Sequence, residues 1–460
     1  MLRAQARASA SVARVSEGEP ATEEWYSLSI NMHRFYGGKI EVLPKVPVRG
    51  LKDLAVWYTP GVAAVSRLIS SDPDLSFELT SRWNTIAVVS DGTRVLGLGK
   101  VGPEAAYPVM EGKALLFKYL GGVDAVPIVH RFSKAEDFVR FLEAIEPSFG
   151  GINLEDIEKP KCFTILDEAR SKLQIPVWHD DQQGTATAIL AGLINALKVV
   201  GKKLQDVRIV IFGVGAANTA FYRLLKYMGV KPNHIVAVDK NGVLHPEMKD
   251  IDKLMLTDPY QYQIAIETRG GGLPPDSPIE KAFEGADVVV AASAPGPGVI
   301  RPEWVSRMNR DAVVFALANP VPEIWPSEAR RAGARVVATG RSDFPNQVNN
   351  SLVFPAVFRG VLDVRARTIT DTMAIAAAVE LAKFAEERGG IGEDRILPTM
   401  EEWEVYPRVA AAVAVKAVEE GVARRTTTYR EELERATEII GTVRQKINAL
   451  LDKGLITMPM

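Results

Sequence analysis

Five clusters in the first 185 residues carry side chains that a plain α/β scaffold does not need. Trp57-Tyr58-Thr59-Pro60-Gly61 sets Tyr58 before a Pro-Gly turn, where the common fate of a tyrosine is a half-buried ring with its hydroxyl on backbone. Ser90-Asp91-Gly92-Thr93-Arg94 reads as a strand followed by glycine turns, and Arg94 either offers a two-pronged grip to a carboxylate or is a surface arginine. Pro108-Val109-Met110-Glu111-Gly112-Lys113 is expected to open an apolar helix. A lysine there can lose its charge by desolvation and act as a general base, although surface lysines are commoner. Glu155-Asp156 and Asp180-Asp181 each place two carboxylates at the end of a short apolar run. Taken singly, each pair reads as a helix cap or a solvated loop. Together they are able to converge on one cation, because ligands of α/β sheets collect beyond the carboxyl ends of strands. Oxygen-only donors suit Mg2+ or Mn2+ rather than zinc.

A sixth feature belongs to a different chemistry. Val207 to Phe212 is a buried-type strand leading directly into Gly213-Val214-Gly215-Ala216-Ala217-Asn218, after which a helical pattern follows. Glycine permits the tight turn at Gly213 and close approach to a pyrophosphate at Gly215, with Ala216 and Ala217 opening the helix whose amino terminus favours an anion. Asn218 stands where Gly or Ala is usual, so its amide demands more room or faces the ligand. Asp239, twenty-one residues further on, closes the next strand where an acid holds the adenosine ribose hydroxyls. An acid there favours NAD over NADP, while the adjacent Lys240 is able to offset it.

The elements that must position these groups follow from hydropathy. Strand-like runs at 86–90, 126–130, 152–154 and 177–179 alternate with helical stretches at 108–119 and 134–145. An apolar helix from Gly184 to about Val200 is expected to lie buried between two units. Strands at 207–212, 234–238, 287–291, 312–318 and 335–339 are apolar on both faces, as a parallel sheet requires. The expected class is α/β: an amino-terminal α/β substrate and metal domain at 26–184, a Rossmann-type doubly wound dinucleotide domain at 185–365, and a helical tail at 366–460. That tail, with an amphipathic stretch at 429–451, is expected to pack on the first domain or on another subunit. Residues 1–25 read as an arm; their first fifteen carry arginines and no acid, as organelle transit segments also do.

Composition narrows the partners. A chain of 460 residues with 24% charged residues and net charge -2 is ordinary globular material with no basic excess for nucleic acid or an anionic membrane. Cys162 is the single cysteine, so no intrachain disulfide and no cysteine zinc site can form, which fits a reducing, cytoplasmic setting. No apolar run is expected to reach the roughly 18 to 20 residues of a membrane span. His179, beside an acid pair, is expected to be structural. The size and the amphipathic tail point to a homodimer or higher homo-oligomer.

The strings YTPGVA, DGTRVLGLG, PVMEGKALLFK, INLEDI, HDDQQGTA, FALANPVPEI and QVNNSLVFP, in this order from residue 58 to 355, resemble the malic enzymes, in particular the shorter prokaryotic kind. With the sequence reaching Met460, no acyltransferase domain is expected. The resemblance implies oxidative decarboxylation of (S)-malate to pyruvate and CO2 with reduction of NAD or NADP, through a metal-bound oxaloacetate-like intermediate. It makes Tyr58 the general acid and Lys113 the general base, with Asp180 orienting the lysine. Glu155, Asp156 and Asp181 become the metal ligands, Arg94 the grip on a substrate carboxylate, and Asn319 and Asn350 neighbours of substrate and nicotinamide. The sequence departs from the family at Asn218, at Lys100 after GLG, and at Ala356 after FP. Two other readings share the glycine turn: an amino-acid dehydrogenase, whose activity survives EDTA, and a dinucleotide-binding module without turnover, which tolerates Lys113→Ala.

Overall fold

The computed structural model describes residues 20–240 and 242–459, so the arginine-bearing start of the arm lies outside the described residues. The protein is α/β, with two mainly parallel sheets flanked by helices. The first sheet has four strands, β1 (Thr85–Ser90), β2 (Asp124–Val129), β3 (Gly151–Leu154) and β4 (Val177–His179), in the order β2-β1-β3-β4. All pairings are parallel, and the register sets Val89 beside Leu154 and Leu154 beside His179. Every strand therefore ends on the same edge, and the residues after β3 and β4, Glu155-Asp156 and Asp180-Asp181, emerge side by side. β3 and β4 are buried along their whole length, the polar Asn153 and His179 included.

The second sheet contains β5 (Ile209–Phe212), β6 (Ile235–Asp239), β7 (Gly242–Val243), β8 (Val288–Ala291), β9 (Ala312–Ala316) and β10 (Ala334–Thr339) in the order β10-β9-β8-β5-β6-β7. Its parallel strands match the expected runs, with ends shifted by up to two residues. β5 starts after Arg208 because the Arg208 amide donates to the Asp287 carboxylate at 2.9 Å instead of entering the ladder. β7 was not expected: two residues pairing antiparallel with β6 are too short for any periodicity to show.

The Thr185–Val200 helix joins the two sheets, and nearly all of its residues are buried. One apolar core runs through it, from Ile86, Phe117 and Trp178 on the first side to Ile211, Val290 and Phe315 on the second. Gly192 lets it lie against the Phe315 ring, where an added Cβ would meet ring carbon at 3.3 Å. Together with the preceding turn it makes a 21-residue helix, Asp180–Val200, whose most apolar 18-residue window has mean hydropathy 1.3, so a segment of spanning length and composition exists where none was expected. The stretch is mostly buried inside the fold, so its hydrophobicity is that of a core helix.

The expected helix start at Pro108 is also corrected. The helix is Pro103–Gly121, with Pro103 at its first turn, where a missing N-H is tolerated, and Pro108 inside it. Further along the chain, the Phe354–Asp363, Val405–Glu419 and Tyr429–Asp452 helices pack back on this first-sheet helix, while the Asp371–Gly389 helix packs on the connector helix. Glycines permit the approach: a Cβ on Gly121 would lie 2.5 Å from the Pro355 carbonyl, and one on Gly360 2.4 Å from that of Ala410. A fully buried Arg359 grips Asp363 with two bonds of 2.7 Å and donates to Asn84 at 2.5 Å, tying the tail to the residue just before β1.

At the amino end the character changes. The Leu51–Trp57 and Val62–Ser71 helices have no buried residue, and Val42, Leu51 and Tyr58 are 99%, 84% and 72% exposed.

Glu432 of the last helix is buried next to Asp363, and burial with that neighbouring acid pushes its carboxyl up to about 9. Because the folded value lies above the unfolded one, its contribution is fully present in acid and is lost as pH rises from about 5 toward 9. Glu432→Gln should flatten this decline, raising Tm by a few degrees in alkaline buffer and leaving it unchanged near the unfolded glutamate value; thermal scans across that range check it.

Candidate active site

The site is assembled at the carboxyl edge of the first sheet. Asp180 opens a wide helical turn, Asp180–Gly184, that continues into the buried connector helix. Its carboxylate is fully buried and accepts from the Trp178 indole N-H at 3.1 Å through Oδ1, leaving Oδ2 for the Lys113 ammonium. Gly184 is obligatory for this: a Cβ there would fall 1.8 Å from Asp180 Oδ1. Lys113 reaches in from the Pro103–Gly121 helix. Its Nζ also lies 3.2 Å from Glu155 Oε1 and 3.3 Å from Asn350 Oδ1, over the Phe354 ring at 4.4 Å.

Burial alone would push the Lys113 ammonium down, as expected from its apolar helix. Asp180 and Glu155 outweigh it and raise the group above the ordinary lysine range. Among the chain's own side chains these acids favour the charged ammonium; a cation held by Glu155, Asp156 and Asp181 would oppose them and favour the neutral amine that a general base needs. Burial in turn raises Glu155, Asp180 and Asp181, and the Lys113 charge opposes that rise in all three.

Glu155, Asp156 and Asp181 each direct one carboxylate oxygen to a common point, all within 4.8 Å of one another. Asp156 adopts a left-handed backbone (φ 56°), a conformation that Asp tolerates better than most residues, and its amide donates to Asp181 Oδ2 at 2.8 Å. Asn153 holds the other Glu155 oxygen at 3.0 Å. The Arg94 amide donates to the Asp156 carbonyl at 2.9 Å, and the charge of Arg94 acts to lower Asp181. Four carboxylates thus face the cations Lys113 and Arg94, a surplus of two negative charges that a divalent ion would match. The donor set fits Mg2+ or Mn2+. His179 is fully buried, and burial pushes its imidazole down to about 3, so it stays neutral beside these acids as a structural residue.

On the second sheet, the Gly213 amide donates to the Val238 carbonyl at 2.7 Å, and the residue takes φ 83°. A Cβ there would meet Ser293 at 2.7 Å, whereas one on Gly215 would meet open space, as a cradle for pyrophosphate requires. Ala216 and Ala217 begin the Ala216–Tyr227 helix, and Asp239 ends β6. Asn218 resolves the alternatives left by its amide. It points inward, donating to the carbonyls of Gly213 at 2.8 Å and Val290 at 3.2 Å, and stitches the turn to β8.

Asn350 sits with Lys113, and Asn319 lies in the loop after β9 against Gly97 of the first domain's glycine turn. Sequence reasoning passed over Glu323, although it stands inside FALANPVPEI. It is fully buried and accepts from the amides of Ser293 at 2.8 Å and Ala318 at 3.0 Å, which shapes the loops after β8 and β9. Tyr58 is not brought to this cluster: it lies on the exposed amino-terminal face, and among the described residues its hydroxyl makes no hydrogen bond to Lys113 or the acids.

Residues 37–134 match the family description "Malic enzyme, N-terminal domain" and residues 182–418 match "Malic enzyme, NAD binding domain"; the four acids fall between the two. An NAD-dependent malic enzyme of Geobacillus stearothermophilus is 47% identical over 85% of this chain and 78% of its own length. An NADP-dependent malic enzyme of Halomonas elongata is 41% identical over 88% and 96%. The crystal structure of Entamoeba histolytica malic enzyme superposes with a TM-score of 0.92 at 45% identity, covering 95% of this chain and 91% of that one. Matches of this extent on both sides of the acid cluster show that the chain belongs to the malic enzyme family.

Proposed function

We propose that the chain converts (S)-malate to pyruvate and CO2 with Lys113 as general base and Tyr58 as general acid, in a homodimer or higher homo-oligomer. Malic enzyme activity, the oxidative decarboxylation of malate with NAD or NADP, follows from membership of the family. The observation that carries the residue assignment is the seating of the Lys113 ammonium between Asp180 and Glu155, beside three converging carboxylates.

Glu155, Asp156 and Asp181 would hold Mg2+ or Mn2+, and the glycine turn with Asp239 would hold the dinucleotide. When bound, the cation supplies charge that polarises the C2 oxygen and the dinucleotide accepts the hydride from C2. Arg94 binds a malate carboxylate and fixes the substrate's orientation. Lys113, in its neutral form, takes the C2 hydroxyl proton, and Asp180, itself held by Trp178, keeps the amine aimed at that oxygen. Asn350 accepts from the lysine and limits its rotation. Asn319 stands at the loop where the two domains meet, next to the expected place of the nicotinamide. After CO2 leaves the oxaloacetate-like keto acid, Tyr58 protonates C3 of the enolpyruvate.

That last role needs Tyr58 at a reaction centre, and its own chain leaves it on an exposed apolar face with Leu51, Leu54, Val56 and Trp57. Burying such a face against a second copy is favourable by about 25 cal/mol per Å2 of apolar surface. It would also carry Tyr58 to the partner's Lys113.

Reduction of NAD or NADP by L-malate, followed by absorbance, should require Mn2+ or Mg2+ and stop with EDTA; unchanged rates in EDTA would sink the metal assignment. Lys113→Ala should lower kcat by roughly a hundredfold or more. Asp181→Asn should instead raise the Mn2+ concentration needed for half activity, with excess Mn2+ restoring part of the rate. Mixing Tyr58→Phe and Lys113→Ala subunits after co-refolding should recover activity that neither has alone. Mixed oligomers as inactive as their parents would place Tyr58 and Lys113 of one site on the same chain.

A further inference from the structure

Lys159 crosses from the first domain to the dinucleotide turn. It follows the Glu155-Asp156 cluster in sequence, yet its ammonium donates to the carbonyl of Val214, between the two glycines, at 2.7 Å. The same Nζ lies 3.6 Å from Asp239 Oδ2 and 3.5 Å from Asp258 Oδ2. Gln261 completes the arrangement by donating to Asp239 Oδ2 at 2.6 Å and to the Val214 carbonyl at 2.7 Å. Asp258 is occupied by capping the Pro259–Thr268 helix through its other oxygen. Asp239 is thus held through one oxygen, Oδ2, from two sides.

Charge decides what this end of the site accepts. Without Lys159, the charge of Asp239 at the expected ribose position, with Asp258 behind it, would repel a 2'-phosphate. With Lys159 the local sum falls to a single negative charge. The relatives reported above include both NAD- and NADP-dependent proteins, so family membership does not set the preference.

We infer that Lys159 is a dinucleotide-selectivity residue: supplied by the substrate domain, it neutralises Asp239 and so admits the 2'-phosphate of NADP to a site otherwise built for NAD. The inference rests on the dinucleotide reading of the glycine turn, and it explains why a residue outside the nucleotide-binding fold is bonded to that turn.

The test is direct binding of NADH and NADPH by nucleotide fluorescence, without malate or metal, to the full chain and to Lys159→Met and Lys159→Arg. Methionine keeps the length of the stem and removes the charge; arginine keeps the charge. Lys159→Met should raise the Kd for NADPH by about tenfold or more while that for NADH changes by less than about threefold, and Lys159→Arg should hold both near the original values. The excess loss for NADPH should shrink at high salt. Loss of both nucleotides by the same factor would show that Lys159 merely props the Val214 turn, and would overturn the selectivity role alone. Failure of the unaltered chain to bind either nucleotide would overturn the dinucleotide reading and the inference with it.

Discussion

The buried contact between the Lys113 ammonium and the Asp180 carboxylate is the constraint around which the first domain is arranged. Removing two such charges from water costs several kcal/mol each, and the cost is offset only when geometry and further hydrogen bonds are good. The structure provides them: Trp178 holds one Asp180 oxygen, Gly184 leaves room for it, and Glu155 and Asn350 share the ammonium. Four chain segments far apart in sequence must therefore dock correctly before the pair is satisfied. A pair of this kind is weak evidence for stability and stronger evidence for a site in which position matters more than net energy.

Strand register extends the same logic to the acids. Parallel pairing aligns the ends of β3 and β4, so two pairs of carboxylates emerge together at one edge. Like charges held that close are costly unless cations accompany them, and the chain provides two for four acids. The imbalance is a property of the sheet's topology, since no other register would deliver the same four residues to one place. The connector helix then fixes the distance from this edge to the glycine turn, because its buried residues belong to the core of both sheets. Lys159 and the Asn319 loop bridge the remaining gap, so the substrate and dinucleotide halves are joined through polar contacts as well as through the core.

The amino-terminal segment obeys a different rule. Its helices carry apolar residues at high density, yet Leu51–Trp57 and Val62–Ser71 bury none of them within the chain. An isolated apolar helix of seven or ten residues has little stability of its own in water, and tertiary or quaternary burial must supply it. The second copy proposed above would cover this surface and bring Tyr58 to a Lys113 by one contact.

Much of this was legible in the sequence because it depends on local patterns. Apolar runs of strand length, glycines at a strand-helix turn and adjacent acids after short strands are encoded within a few residues, and their periods and turn chemistry do not require knowing what packs where. The α/β class, the order of the strands along the chain and the candidate acids, lysine and glycines could all be read in this way. Tertiary structure decided whatever depends on distant segments meeting. The effect of burial on Lys113 is opposed because Asp180 and Glu155 arrive from the ends of β4 and β3, which no reading of its own apolar helix could foresee. Asn218 turns inward because the β8 carbonyl at Val290 lies within reach, and Pro108 sits inside a helix that had already begun at Pro103. Tyr58 lies on the surface, and Lys159 reaches into the other domain's turn, for the same reason: side-chain environment is set by long-range packing, whereas a sequence window records only propensity and spacing.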